Sequence, residues 1–159
     1  MRAQALAYLL SGLGKPPGAS RLVDAGGVAE PWRHLLPAGA EFVGAPAAGR
    51  LPAGDDSADA AAAVGVLGGL GAAERQALVA EMWRVTRPGG CLAVVDDVVP
   101  IPGSGRPCPF SRGALPQLLI EATGRRVVPG RVRALRFPGE ALHRGAAIAV
   151  VKVGEAQPC

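Results

Sequence analysis

Lysine is almost missing from this sequence: Lys15 and Lys152 stand against fifteen arginines. Aromatic side chains are nearly as scarce, at 4% of the chain, and only Phe110 and Phe137 lie in its C-terminal third. Base stacking on that third therefore has little support. The two histidines, His34 and His143, are isolated in sequence, and no cluster of Cys, His and acids has zinc spacing. The three cysteines, Cys91, Cys108 and Cys159, are odd in number and form no C-x-x-C, which speaks against a disulfide framework. Reduced thiols in the cytoplasm are the plainer reading. No apolar stretch is long enough to cross a membrane as a helix. Gly12-Leu13-Gly14-Lys15 lacks the spacing of a phosphate loop and runs into Pro16, and there is no G-x-S-x-G elbow.

Ala, Gly, Pro and Arg are abundant instead, the signature of a GC-rich coding bias. Gly and Pro together make up 38 of 159 residues, near the range of low-complexity chains. The 49% hydrophobic share and the apolar runs near the C-terminus argue for a folded core, and the length fits one domain. The net charge of +4 is unevenly placed. Residues 1–100 carry eight basic and ten acidic groups; residues 101–159 carry nine and three. Such a basic third can attract nucleic acid, anionic substrates or an acidic partner, but a solvated arginine-rich face is the favoured reading over nucleic-acid binding.

Residues 1–20, with the short apolar run Ala5 to Leu10 and no acid, are expected to form an N-terminal helix or extension. The segment is also compatible with organelle targeting, but no clean cleavage pattern follows it. Arg21-Leu22-Val23-Asp24 is the first strand signal, and it leads into Ala25-Gly26-Gly27. A strand ending in an acid and then glycines is how nucleotide-binding α/β folds begin. A short helix fits Ala29 to Leu36, and Glu41-Phe42-Val43-Gly44 is a second strand. Ala60 to Leu67 fits either a buried strand or a helix. Gly71 to Val85 is an amphipathic helix with Leu78, Val79, Met82 and Trp83 on one stripe, and Pro88-Gly89-Gly90 is expected to end it. Cys91 to Val99 follows as a strand, its Leu-Ala-Val-Val run predicting burial on both faces. Ser111 to Thr123 is a helix stopped by Gly124. Arg125 to Phe137 is a strand or an irregular pair, Ala146 to Val153 is the last strand, and residues 154–159 are a flexible tail. The alternation predicts an α/β fold.

Three blocks now resemble a known family, the class I S-adenosylmethionine (SAM)-dependent methyltransferases of the type 11 kind. Leu51-Pro52 with Asp55-Asp56-Ser57-Ala58-Asp59-Ala60 resembles that family's "LP…D-x-S-F-D" segment. Val64-Gly65-Val66-Leu67-Gly68-Gly69-Leu70 resembles "V-L-H-H-L", and Glu81-Met82-Trp83-Arg84-Val85-Thr86-Arg87-Pro88-Gly89-Gly90 resembles "E-M-x-R-V-L-R-P-G-G". They come in family order over residues 51–97. The resemblance implies a Rossmann-like, mostly parallel sheet flanked by helices over residues 21–153, with SAM over the carboxyl ends of the strands. It assigns Asp24, Ala25 and Gly26 to the start of the first cofactor motif, Gly44 and Ala45 to the adenine loop, and Val64 and Gly65 to the end of the fourth strand. Asp96 and Asp97 are candidate bases for an acceptor that must lose a proton; acids at a strand end also cap loops. No metal is implied.

The sequence also departs from that pattern. The first motif should read D-x-G-x-G-x-G but continues Gly27-Val28-Ala29-Glu30-Pro31. No acid ends the second strand to hold a ribose, Ala45-Pro46 stands where the adenine-reading Asp belongs, and Gly68-Gly69 replaces His-His. Gly27 to Val43 is only 17 residues, room for one helix and one strand where the family has two of each. The sheet is therefore expected to be reduced from the family's seven strands. These departures predict a methyltransferase-like domain with an eroded SAM site that acts by binding a partner, either a second copy or a protein covering the shortened sheet. The alternative is an active methyltransferase with a reduced pocket.

Overall fold

In the computed structural model the apolar segments form one six-stranded sheet with helices packed on it. The structure describes residues 21–26, 41–97, 114–124, 133–136 and 143–152. The expected N-terminal segment, the helix at Ala29 to Leu36 and the tail at 154–159 lie outside them. The strands are β1 (Arg21–Ala25), β2 (Glu41–Ala45), β3 (Ala58–Val64), β4 (Thr86–Asp97), β5 (Arg133–Arg136) and β6 (His143–Val151). The helices are α1 (Ala72–Val85) and α2 (Ala114–Thr123), with a 3-10 turn at Leu67–Gly69.

The order across the sheet is β2-β1-β3-β4-β6-β5. The first four strands are mutually parallel, and β6 runs antiparallel to both β4 and β5. This is the expected Rossmann-like fold, smaller than the seven-stranded form. The ambiguous alanine run resolves as strand β3. Ala61, Ala62 and Ala63 are fully buried between β1 and β4, and central pairing overrides alanine's helical preference.

One face of the sheet carries Val23, Ala61, Ala63, Leu92 and Val94, which pack with Leu78, Val79, Met82 and Val85 of α1 and Leu115 and Leu119 of α2. Ala93 and Val95, on the opposite face of β4, are buried as well, as the unbroken apolar run of that strand predicts. Trp83 is half-buried at the margin of the cluster, and Val85 takes the fourth fully buried place on the helix.

The C-terminal bound of α1 is the predicted one, but Pro88-Gly89-Gly90 does not set it. It ends at Val85, and Thr86 is already extended; its buried hydroxyl donates to the Met82 carbonyl at 2.7 Å. The Arg87–Gly90 stretch is a bulge inside β4: Ala58 pairs with Thr86, but Ala60 pairs with Cys91. A Cβ on Gly90 would lie 2.8 Å from both the Arg87 and Asp59 carbonyl oxygens, so glycine is required there. The turn residues thus lift the chain from helix to strand without a separate loop. Gly124, at φ +68, does stop α2 as expected.

Candidate functional site

In an open parallel sheet a ligand sits beyond the carboxyl ends of the strands. Here that rim brings together Asp24, Ala25 and Gly26 from β1, Gly44 and Ala45 from β2, Val64 and Gly65 from β3, and Asp96 and Asp97 from β4. All the residues singled out from the sequence therefore fall at one end of four adjacent strands.

Gly26 has φ +119, and its N–H donates to the Ala45 carbonyl at 2.7 Å. A Cβ on it would overlap the Val66 side chain, so β1 and the loop after β3 meet through this glycine. Gly65, at φ +65, donates to the Val95 carbonyl at 2.7 Å. Gly68 donates to Asp96 Oδ2 at 3.1 Å, and Gly69 donates to the Val66 carbonyl at 3.1 Å. The N–H groups of these four glycines are thus each spent within the chain.

Asp24 is fully buried and Asp96 is 4% exposed. The Asp96 carboxylate anchors the 3-10 turn through Gly68, a cap-like role. Asp97 follows it in the strand, opposite Gly145. The strand beside β1 closes with Gly44 and Ala45 and then Pro46, so no carboxylate stands at its end. Gly44 and Ala45 therefore lie next to the first strand, in the second strand's place. Among the described residues no group of three His, Cys, Asp or Glu side chains is arranged to hold a metal.

The polar network missed from the sequence lies at the other end of the sheet. The Arg84 guanidinium donates to Glu81, to Asp55 Oδ1 at 2.6 Å, and to the carbonyls of Ala53 and Leu51. Glu81 Oε2 in turn accepts the Leu51 N–H at 3.0 Å. The hydrogen bond from Arg84 holds the Glu81 carboxyl below its ordinary range, against a smaller opposing effect of burial. Asp59 accepts from Arg87 Nε at 2.6 Å and from the Arg21 N–H at 2.7 Å. Lys152 donates to Asp56 and to the Trp83 carbonyl, and its ammonium stands 5.3 Å from the Trp83 ring centre. One signal pointed here: acids at 55–59 and arginines at 84 and 87 sit at the two borders of a strand–helix unit. Lys152, from the basic third, is committed to this internal network.

The family model of the methyltransferase domain matches residues 23–94. No curated protein matches the chain. Among solved structures, the chain is similar to 1,6-didemethyltoxoflavin-N1-methyltransferase of Burkholderia thailandensis, solved with 1,6-didemethyltoxoflavin and S-adenosylhomocysteine bound. Identity is 17% and the TM-score 0.68, over 96% of this chain and 79% of that one. A SAM-dependent methyltransferase from Aquifex aeolicus is similar at 15% identity and a TM-score of 0.69, over 95% and 89% of the two chains. So is a chain of the Haloferax volcanii complex between the Trm112 methyltransferase activator and a methyltransferase, at 12% identity and a TM-score of 0.60, over 96% and 94%. At these identities the likeness is one of fold. The chain thus has the fold of these methyltransferases along nearly its whole length, and over residues 23–94 its sequence matches the methyltransferase-domain family model.

Proposed function

We propose that the chain is a methyltransferase-fold subunit with an eroded SAM site, working in the cytoplasm by binding a protein partner. The observation that carries this reading is the carboxyl end of β2. The strand next to β1 closes on Gly44, Ala45 and Pro46, with no acid to accept ribose hydroxyls, and no described strand lies outside it. The spent N–H groups of Gly26, Gly65, Gly68 and Gly69 support it, because a cofactor cradled by backbone would compete with bonds the fold already makes. On this reading the rim does not hold the whole cofactor. The Haloferax methyltransferase complexed with an activator supports a fold that works in association.

A second reading has its own support: the match over residues 23–94 and a neighbour of the same fold with S-adenosylhomocysteine bound. In that reading methyl transfer depends on positioning, since the sulfonium is already an activated leaving group. Asp96 or Asp97 would then be the candidate base, with Asp96 Oδ2 accepting the Gly68 N–H. Isothermal titration of the whole chain with SAM and with S-adenosylhomocysteine separates the two. The subunit reading expects no heat of binding up to millimolar ligand. Micromolar affinity for either compound overturns it in favour of the enzyme.

A further inference from the structure

The outer edge of β2 is open among the described residues, and its sequence matches itself. Because the Ala45 carbonyl accepts from Gly26 on the β1 side, the alternation of a strand directs the backbone groups of Glu41, Val43 and Ala45 towards β1. Those of Phe42 and Gly44 point outward. The edge carries no lysine, no proline and no bulge, and its one charged residue, Glu41, is paired with Arg21 of the same chain.

We propose that this edge pairs antiparallel with the same edge of a second copy, about a two-fold axis through Val43. The proposal rests on the partner-binding reading and names the partner. In this register Phe42 stands opposite Gly44 of the other copy, and the two exchange both of their outward hydrogen bonds. Each Phe42 ring covers a glycine that has no side chain of its own, a favourable cross-strand match. Within one chain the ring already leans over Gly44, 3.8 Å from where a Cβ would stand. Val43 meets Val43 in the closer, non-hydrogen-bonded pair. Glu41 faces Ala45, so no like charges meet, and Arg21 Nε neutralises Glu41 within its own copy at 3.5 Å. A slip of one residue aligns Phe42 with Val43 and sets outward groups against inward ones, which leaves the backbone groups unmatched. The parallel strands of each copy then join into one continuous sheet, and the interface is isologous.

The test is the solution mass of the whole chain by light scattering across the high-micromolar range, together with Val43→Cys and Val43→Lys. The expected mass is twice the 16.0 kDa of one chain. Val43→Cys is expected to form a cross-linked dimer on mild oxidation that the parent chain, with its native cysteines, does not form. Val43→Lys is expected to run as a monomer with an unchanged far-ultraviolet circular dichroism spectrum, and to recover the dimer mass when mixed with Val43→Glu. A parent chain that stays monomeric overturns the self-pairing. So does a dimer that neither cross-links through the thiol introduced by Val43→Cys nor responds to Val43→Lys. In either case the partner-binding reading is judged separately, by the SAM titration.

Discussion

Gly26 shows how much of this fold depends on one missing side chain. Its φ of +119 and its contact with Val66 both require glycine. Gly26→Ala is expected to cost about 2–3 kcal/mol, from overpacking and an unfavourable backbone. Adding Val66→Ala should relieve the overpacking part and leave the backbone part, which a urea-unfolding cycle of the four proteins would resolve. Cys91 makes the opposite point, a reactive group disarmed by its surroundings. Burial pushes its thiol up to about 12, so almost no thiolate forms at neutral pH. Peptide mapping after alkylation of the native protein is expected to find Cys91 unmodified, and to find it labelled once urea unfolds the chain.

The strand–helix–strand unit of β3, α1 and β4 holds both the sequence blocks of the methyltransferase resemblance and the ionic network. Glu81, Arg84 and Arg87 belong to the most family-like stretch, yet they tie Leu51, Ala53, Asp55 and Asp59 to α1 at the end of the sheet away from the candidate site. That stretch therefore records a scaffold, and its preservation says little about catalysis. The network also predicts a pH response. The folded-state pKa of Glu81 is depressed, so its stabilising effect is complete above the unfolded carboxyl range of roughly 4.3 and is lost as pH falls through the folded value. The urea midpoint is expected to drop on acidification. Glu81→Gln should start about 1 kcal/mol less stable and show a shallower drop. Much of this unit was legible beforehand, because the 3.6-residue apolar period of α1 and the unbroken run of β4 are strong signals. So was the helix end at Val85; what ends it there was not. Pro88-Gly89-Gly90 has the composition of a stop, but the Met82 carbonyl is already capped by Thr86, and the glycines serve a bulge. The 55–59 acids could be seen in the sequence, whereas partners as distant as Arg87 and Lys152, 28 and 96 residues away, could not.

Across the whole sheet, the sequence predicted the reduction in strands from the 17 residues between Gly27 and Val43, and β2 does pair directly with β1. The positions carried over by resemblance also gather at one rim, which four parallel strands make inevitable once their ends are known. What the rim does with its N–H groups depends on backbone angles that no spacing reveals. The sheet has one further consequence, for the order in which the protein is made. β6 is the last described strand in the chain, yet it lies inside the sheet between β4 and β5. Lys152, just beyond it, exchanges backbone hydrogen bonds with Gly89 and Gly90 and ties down Asp56. A nascent chain that has emerged only to residue 142 therefore has β4 as an open edge and β5 without its neighbour, an aggregation hazard during synthesis. A chain stopped at that point is expected to be insoluble in a cell-free translation assay, while the full chain stays in the supernatant. On the ribosome, the described sheet stays incomplete until β6, an inner strand, has emerged.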